Sequence, residues 1–250
     1  MKRKAPLTRG LIRSLLFGLP LLVSACAVSV HPVSAPETIE KLPDVPVRRL
    51  RPDTGLAEFA EARARIEPLA EKICKAQTTG LNCNFRIGID PTPDLEANAF
   101  QTQDRLGRPL IIFTSSMLGQ LANNHEIAFV MSHEAAHHIR AHLVREYLNA
   151  RQAGETLARS AAEIGANADQ IQIAREVGQL VGARVYSKAF ELEADELGTI
   201  IADYAGYDPR VGVRFFYRLP DPGDRFLGSH PPNEDRIQVV KRTIETYGLN

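Results

Sequence analysis

The sequence lacks both an excess of charge and a long apolar run. Its 30 basic residues balance 30 acidic ones, and five of the basic residues lie within the first 25 positions, where no acidic residue occurs. Without those five, 25 basic residues face 30 acidic ones, which is a net charge of −5. A mildly acidic body gives no support for nucleic-acid binding, so we expect no nucleic-acid partner.

The apolar run near the N-terminus, Leu15–Val23, is too short to span a membrane. It has about half of the ~20 apolar residues that a membrane-crossing helix needs, and Pro20 interrupts it. A basic start, a short apolar centre and small residues at the end are typical of a signal peptide, which we assign to residues 1–25. Residues 23–26 resemble the lipobox of bacterial lipoproteins, in which the cysteine, here Cys26, is lipidated. The alternative is a plain secretory signal that happens to end beside a cysteine.

The segment after Cys26 predicts how the folded part is attached. Ala27, not Asp, follows the cysteine, as in lipoproteins of the outer membrane. We therefore expect a lipid-anchored protein of the bacterial cell envelope that faces the periplasm. Residues 26–53 contain five prolines and no amphipathic period, which predicts a semi-extended tether. An arm packed on the folded domain, which we place at residues 54–250, is the alternative.

Cys74 and Cys83 are the two remaining cysteines. In an oxidising compartment a disulfide is the default expectation. It would stabilise the fold by about 2–3 kcal/mol by restricting the unfolded chain. A metal pair is the alternative, but no ligand spacing surrounds these residues, and we predict the disulfide.

Residues 54–250 are expected to form an α+β domain. The spacing of apolar residues predicts a helix from residue 54 to about residue 76. Three extended segments follow, at residues 85–90, around residues 98–100 and at residues 110–113, with Gly107 placed for a hairpin between the last two. From Asn124 onward the pattern is helical almost to the end. This order predicts a mostly helical domain with a small sheet.

The segment His133-Glu134-Ala135-Ala136-His137 is an HExxH motif. Positions four apart share a helix face, so both imidazoles can point at one metal ion, with Glu134 close to its open side. The surrounding helix is apolar, and buried imidazoles and carboxylates need partners, which a metal supplies. A satisfied polar cluster in the core is the alternative. His142, five residues after His137, would be rotated about 140° away on an unbroken helix. We therefore expect His142 outside the ligand set, as a buried hydrogen-bonding histidine under the site, and His138 as a packing or surface residue.

A third metal ligand is expected downstream, because catalytic zinc usually takes three protein ligands. Glu191 and Asp195 lie four apart on a predicted helix and share a face. One of them can bind the metal while the other orients a ligating imidazole. An acidic, solvated helix face is the alternative. Glu193 lies about 200° round the helix from Glu191 and is expected to face away.

These motifs resemble those of the zinc metallopeptidases that include HtpX, the Oma-type mitochondrial protease and the CAAX prenyl protease. The small periplasmic lipoproteins of the LoiP type are the most similar members, and the likeness covers about residues 55–245. It rests on the HExxH motif and on four further elements: Glu191 to Asp195, Asn98-Ala99-Phe100, Gly206-Tyr207-Asp208-Pro209 and Ser229-His230-Pro231-Pro232.

The resemblance implies the gluzincin architecture, in which the edge strand of a small sheet lies beside the active-site helix. It implies one zinc ion held by His133, His137 and Glu191, with Asp195 behind a ligand and Glu134 as the general base. By the same analogy, His230 is a candidate donor to the oxyanion, although a turn residue is equally compatible with the two prolines that follow it. Residues Asn98, Ala99 and Phe100 would pair with an extended substrate, unless they form an ordinary internal strand.

The resulting hypothesis is a zinc-dependent endopeptidase that acts on misfolded or unassembled envelope proteins. A lipoprotein chaperone or assembly factor for outer-membrane proteins, with a structural or weakly active zinc site, is the rival. The intact Glu134 favours catalysis, because a structural metal site needs no base beside its ligands. A zinc hydrolase acting on cell-wall amide bonds fits the metal motif alone but not the family resemblance. The sequence does not specify the oligomeric state.

Overall fold

The computed structural model of the chain describes residues 28–51, 54–185, 187–224 and 230–249. Within them lie five β-strands, eight α-helices and one 3-10 helix. The strands are β1 Ser29–Val30, β2 Thr78–Thr79, β3 Arg86–Asp90, β4 Ala99–Gln103 and β5 Pro109–Thr114. The helices are α1 Gly55–Gln77, α2 Ser115–Gln120, α3 Asn124–Ile139, α4 His142–Glu163, α5 Ala168–Val185, α6 Ser187–Tyr204, α7 Pro209–Gly212 and α8 Asn233–Tyr247, with the 3-10 helix at Val213–Arg218. The expected mostly helical α+β fold is confirmed.

The small sheet places one strand at an edge beside helix α3. Its strand order is β3-β5-β4, with β3 parallel and β4 antiparallel to the central strand β5. A turn at Gly107, whose φ of +70° favours glycine, joins β4 to β5 as the sequence predicted. Strand β4 is therefore an edge strand, and helix α3 packs against it. The expected edge strand beside the HExxH helix is confirmed.

Helix α3 forms the centre of the core. The Asn123 side chain caps its N-terminus by accepting a hydrogen bond from the Glu126 backbone N–H at 3.0 Å. All residues from Asn124 to Ile139 except His137 are buried. Helix α6 crosses α3 closely at Gly198, where a β-carbon would come within 2.9 Å of the His133 Cα atom. A glycine is required at this crossing because the two backbones touch.

Helices α4 and α5 form an antiparallel hairpin that leaves the core. Their close contact depends on glycines, since a β-carbon at Gly178 would lie 2.6 Å from a backbone oxygen of α4. Gly154 and Gly182 pack with similarly short distances. The chain enters α4 through Ala141, whose φ of +54° is left-handed. The segment is thus a packed pair of helices.

Residues 28–51 lie along the surface of the domain. Backbone hydrogen bonds join His31 to Gln77, Leu42 to Tyr204 and Val45 to Gly206. The Val45 side chain is buried in the core, and Lys41 forms an ion pair with Asp203 at 2.9 Å.

This segment therefore has the packed arrangement that the sequence left as the alternative, and not that of a semi-extended tether. The physical reason is that its apolar residues, including Val33, Ile39 and Leu50, cover core residues. The signal peptide at residues 1–25 and Cys26 lie outside the described residues.

Two further features of the described residues are a disulfide bond and the character of the helices. A disulfide links Cys74 at the end of α1 to Cys83, with a Cα–Cα distance of 5.7 Å. None of the helices in the described ranges combines the length and the apolar composition that crossing a membrane requires.

Candidate metal centre

Three side chains from two helices converge at the crossing of α3 and α6. The Nε2 atoms of His133 and His137 lie 3.0 Å apart. A Glu191 carboxylate oxygen lies 3.5 Å from His133 Nε2, and the other lies 3.3 Å from His137 Nε2. The structure thus brings together the three residues that the sequence predicted as metal ligands, and they can hold a metal ion.

The distances within this cluster fit a divalent metal. Zinc binds nitrogen and oxygen ligands at about 2.0–2.1 Å, so two ligand atoms of a tetrahedral site are separated by about 3.3 Å. The three separations of 3.0, 3.3 and 3.5 Å lie close to this value. Two imidazoles and one carboxylate are also the donor set of many catalytic zinc sites.

Comparison with known sequences places this site in a family. Residues 57–244, which include all three ligand candidates, match the family described as Peptidase family M48. The chain belongs to peptidase family M48. The resemblance inferred from the motifs is therefore confirmed, and membership places the chain among the metallopeptidases.

One relative is similar to part of this M48 chain. A protein of Vibrio cholerae serotype O1, named as a beta-barrel assembly-enhancing protease, is 33% identical over 142 residues. The alignment covers 49% of this chain and 28% of the relative. This chain therefore corresponds to less than a third of that relative's length.

The first ligand candidate of the M48 site, His133, lies against Asp195. The Nδ1 atom of His133 lies 2.9 Å from the Asp195 carboxylate. Arg236 on helix α8 binds the same carboxylate with two hydrogen bonds of 2.7 Å, and its guanidinium lies 4.0 Å from the centre of the Phe216 ring. Asp195 is completely buried. A carboxylate behind a ligating histidine fixes the ring orientation and its tautomer.

Charge around the cluster shifts several pKa values. Burial and the Arg236 charge act to lower the pKa of His133, but hydrogen bonds to Asp195 and Glu191 raise it to about 9. Burial acts to raise the pKa of Glu191, but hydrogen bonds from both histidines hold it well below its usual range. Glu191 is therefore a carboxylate, as a metal ligand must be.

Glu134 lines the cleft above these ligands. The cleft has a volume of about 590 Å³ and is also lined by apolar side chains, among them Phe129, Val130 and Phe215. Burial raises the pKa of Glu134. A carboxyl group with a raised pKa beside a metal cluster is suited to exchanging protons.

The remaining candidate residues lie around the same cleft. Asn98, Ala99 and Phe100 line one wall, and Phe100 is 39% exposed. His230 lines another wall, with its Nε2 atom 3.8 Å from a Glu191 oxygen. All the sequence-predicted residues of the folded domain except the disulfide cysteines are thus brought to one site.

The two histidines that follow the motif have different surroundings. His138 is buried beneath the sheet, where its Nε2 atom lies 2.8 Å from the Asn82 carbonyl oxygen. His142 lies directly behind His137, with the two Nδ1 atoms 2.8 Å apart. Burial lowers the pKa of His142 to about 4, so the ring is neutral.

Sequence reasoning did not find Arg236 or the role of Glu193. Arg236 lies more than 40 residues after Asp195, and no local spacing connects the two. Glu193 faces away from the metal cluster as expected, but it accepts hydrogen bonds from Arg145 at 2.6 and 3.0 Å. Ideal helix geometry predicts on which side of α6 Glu193 lies, but not that Arg145 contacts it there.

Proposed function

We propose that this chain is a zinc-dependent endopeptidase of the bacterial cell envelope. The observation that carries the proposal is the cluster of His133, His137 and Glu191 at the base of an open cleft, with Glu134 beside it. A zinc ion held by this cluster would supply Lewis acidity toward a peptide carbonyl group and an attacking water. An open cleft above such a donor set is typical of a catalytic site and not of a structural one.

Glu134 is the proposed general base. It follows the ligand His133 directly in α3, so its carboxylate is held beside the place where the water is activated. The side chain accepts a proton from the attacking water and passes it to the leaving nitrogen.

His230 is the proposed donor to the oxyanion, because it lines the cleft on the side of Glu191. His230→Phe should lower the turnover and leave the zinc content unchanged. Equal turnover in the variant would remove His230 from the mechanism.

The edge strand β4 is the proposed substrate platform. The Asn98 carbonyl oxygen accepts a hydrogen bond from Thr114 on the β5 side. In an antiparallel pair the backbone groups alternate in direction, so those of Ala99 and Gln101 point away from β5. These groups lie at the cleft and are placed to pair with an extended polypeptide. Pairing through backbone groups would give broad specificity, as cleavage of unfolded proteins requires.

The envelope location is proposed from the leader and from the relative. Cys26 would carry the lipid, and only Ala27 separates it from Val28, the first described residue of the packed arm. Two residue steps span at most about 7 Å. The folded domain would then lie against the membrane surface, and the proposed membrane is the outer one. Cys26→Ser should release the protein from the membrane fraction. Retention of this variant in the membrane fraction would contradict the lipid anchor.

A second candidate function is assistance in the assembly of outer-membrane proteins. It is favoured by the name of the relative, a beta-barrel assembly-enhancing protease. Either candidate would have misfolded or unassembled envelope proteins as partners. Glu134 distinguishes the two, since assistance without cleavage has no need of a base.

The decisive experiment is cleavage of unfolded casein by a chain that begins at residue 28, with zinc content measured in parallel. Glu134→Gln should abolish cleavage and retain zinc. Glu245 is exposed on helix α8 and is not among the residues that line the cleft, so Glu245→Gln is the matched control and should cleave like the wild type. If the wild type binds zinc and cleaves neither casein nor unfolded envelope proteins, the peptidase proposal fails and the assembly candidate gains support.

A further inference from the structure

The second ligand candidate, His137, is oriented in a different way from the first. His133 contacts the carboxylate of Asp195 directly. Behind His137, by contrast, lies the ring of His142, with its Nδ1 atom 2.8 Å from His137 Nδ1. Two ring nitrogens at this distance form a hydrogen bond in which one must donate and the other accept.

The direction of this hydrogen bond follows from the ligand geometry. The Nε2 atom of His137 faces Glu191 and the ligand cluster, so it is the atom that would bind the metal. The single N–H of a neutral ligating imidazole is then on Nδ1. His137 therefore donates, and Nδ1 of His142 accepts. The one N–H of neutral His142 must be on Nε2, which lies 3.3 Å from the Glu193 carboxylate.

We propose that His142 and Glu193 together position His137 for metal binding. The hydrogen-bonded chain runs from the ligand through a neutral imidazole to a carboxylate. It is one residue longer than the contact of His133 with Asp195, but it ends in the same kind of group. Helix α6 thus supplies one ligand, Glu191, and the carboxylates behind both of the others.

The Glu193 end of this hydrogen-bonded chain is held in a fixed position. Arg145 donates two hydrogen bonds to Glu193, at 2.6 and 3.0 Å, and Arg140 donates two more, both at 3.3 Å. The His142 ring is buried and stacks on Phe190, with ring centres 4.6 Å apart and planes 9° from parallel. A ring held on its face and at both nitrogens has one orientation, which is what a positioning residue requires.

The break between α3 and α4 puts His142 in this position. On an unbroken helix, a residue five positions after His137 would be rotated about 140° away. Helix α3 ends at Ile139, and the chain turns at Ala141 in a left-handed conformation with φ of +54°. This conformation is unfavourable for an alanine. The turn therefore has an unfavourable conformational free energy at Ala141, and it places His142 directly behind His137.

The inference rests on the zinc site of the proposed function, and zinc affinity tests it more directly than turnover. His142→Phe keeps the stacking on Phe190 and removes the acceptor for His137. Loss of a group that orients a ligating histidine weakens metal binding by about 10–100-fold. We expect a loss of this size in the zinc dissociation constant, measured by competition with a chromophoric chelator. The visible absorption spectrum of the cobalt-substituted protein should also change, because the ligand field depends on the orientation of His137.

Two further variants make the result specific. His138→Phe removes another buried histidine of the same segment, one that contacts Asn82 and not a ligand. It should leave zinc affinity and the cobalt spectrum unchanged. Glu193→Gln keeps an acceptor oxygen for His142 and removes the charge, so we expect a smaller loss of affinity than for His142→Phe. It also provides the test if His142→Phe does not fold.

The outcomes distinguish the positioning role of His142 and Glu193 from the zinc site of the proposed function. Weaker zinc binding and an altered cobalt spectrum in His142→Phe, with neither in His138→Phe, support the positioning role. If the wild type binds zinc and the His142 and Glu193 variants bind it equally well with unchanged spectra, the inference is overturned while the proposed function stands. If the wild type itself binds no zinc, both the positioning role and the proposed function are refuted.

Discussion

Arg236 offers a direct test of how the buried charges of the site are balanced. Arg236 is 6% exposed, and its guanidinium makes two hydrogen bonds of 2.7 Å to Asp195, which is fully buried. Arg236→Met fills similar space against Phe216 but leaves the Asp195 carboxylate without its bidentate partner. The variant therefore removes one member of a buried ion pair and leaves the other in the core.

The magnitude follows from the burial of both partners. Removing one member of a buried, hydrogen-bonded ion pair destabilises a protein by about 3–5 kcal/mol. We expect the lower end of this range, because the His133 ring, whose pKa is raised to about 9, still contacts Asp195 at 2.9 Å. Asp195→Asn in the Arg236→Met background removes the carboxylate charge but keeps an acceptor for His133. The double variant should therefore be more stable than Arg236→Met alone, although two changes have been made.

The assay is urea unfolding of the metal-free protein followed by circular dichroism. Metal-free conditions are needed because bound zinc adds its own binding energy to the apparent stability. Arg242, exposed on the same helix α8, provides the control: Arg242→Met should leave the unfolding midpoint unchanged. If Arg236→Met is destabilised by less than about 1 kcal/mol, or if the double variant is the least stable of the set, the assignment of Arg236 as the counterion of Asp195 is refuted.

Three further predictions concern the helix crossing at Gly198, the disulfide and the edge strand β4. Gly198→Ala should lower both stability, by about 1–3 kcal/mol, and zinc affinity in a chelator assay, because a β-carbon there meets the backbone of α3 at 2.9 Å. Gly119→Ala, with no atom within 4 Å of the added carbon, should do neither. Cys83→Ser should reduce the free energy of unfolding by about 2–3 kcal/mol in denaturant titrations, through loss of the short loop constraint. Ala99→Pro should impair peptide cleavage with little loss of stability, since it removes an N–H that points away from β5, whereas Phe100→Pro should break the ladder and destabilise the sheet. Undiminished cleavage in Ala99→Pro would argue against substrate pairing.

The parts of the site that could be predicted from the sequence are those set by spacing within one helix. His133 and His137 lie four residues apart, and so do Glu191 and Asp195; a helical turn fixes which of these side chains share a face. The mostly helical fold and the edge strand beside α3 followed from apolar periodicity and from the family resemblance.

The parts that could not be predicted depend on tertiary contacts or on breaks in regular geometry. Arg236 reaches Asp195 because α8 packs against α6, and no pattern in the sequence of α8 encodes that approach. His142 was predicted as a buried hydrogen-bonding histidine under the site, but the geometry of an unbroken helix could not identify His137 as its partner, because the contact depends on the break at Ala141. Residues 28–51 have the proline content of a tether, yet scattered apolar residues such as Val45 attach them to the core. Composition describes an average over such a segment, whereas packing depends on single positions.

The balance of charge gives an independent reason why this site suits a divalent cation. Around the cluster lie three carboxylates, those of Glu134, Glu191 and Asp195, together with the one guanidinium of Arg236. When both histidines are neutral, as metal binding requires, the four groups carry a net charge of −2 in a largely buried region, whereas without a metal the raised pKa of His133 lets that ring carry a compensating proton. One divalent metal ion would neutralise this negative charge. The ligand spacing and the local charge therefore indicate the same class of ion. The first depends on distances between side-chain atoms, and the second on the charges of the groups around the cluster. A variant that keeps the three ligands but changes the balance, such as Arg236→Met, should alter metal affinity as well as stability.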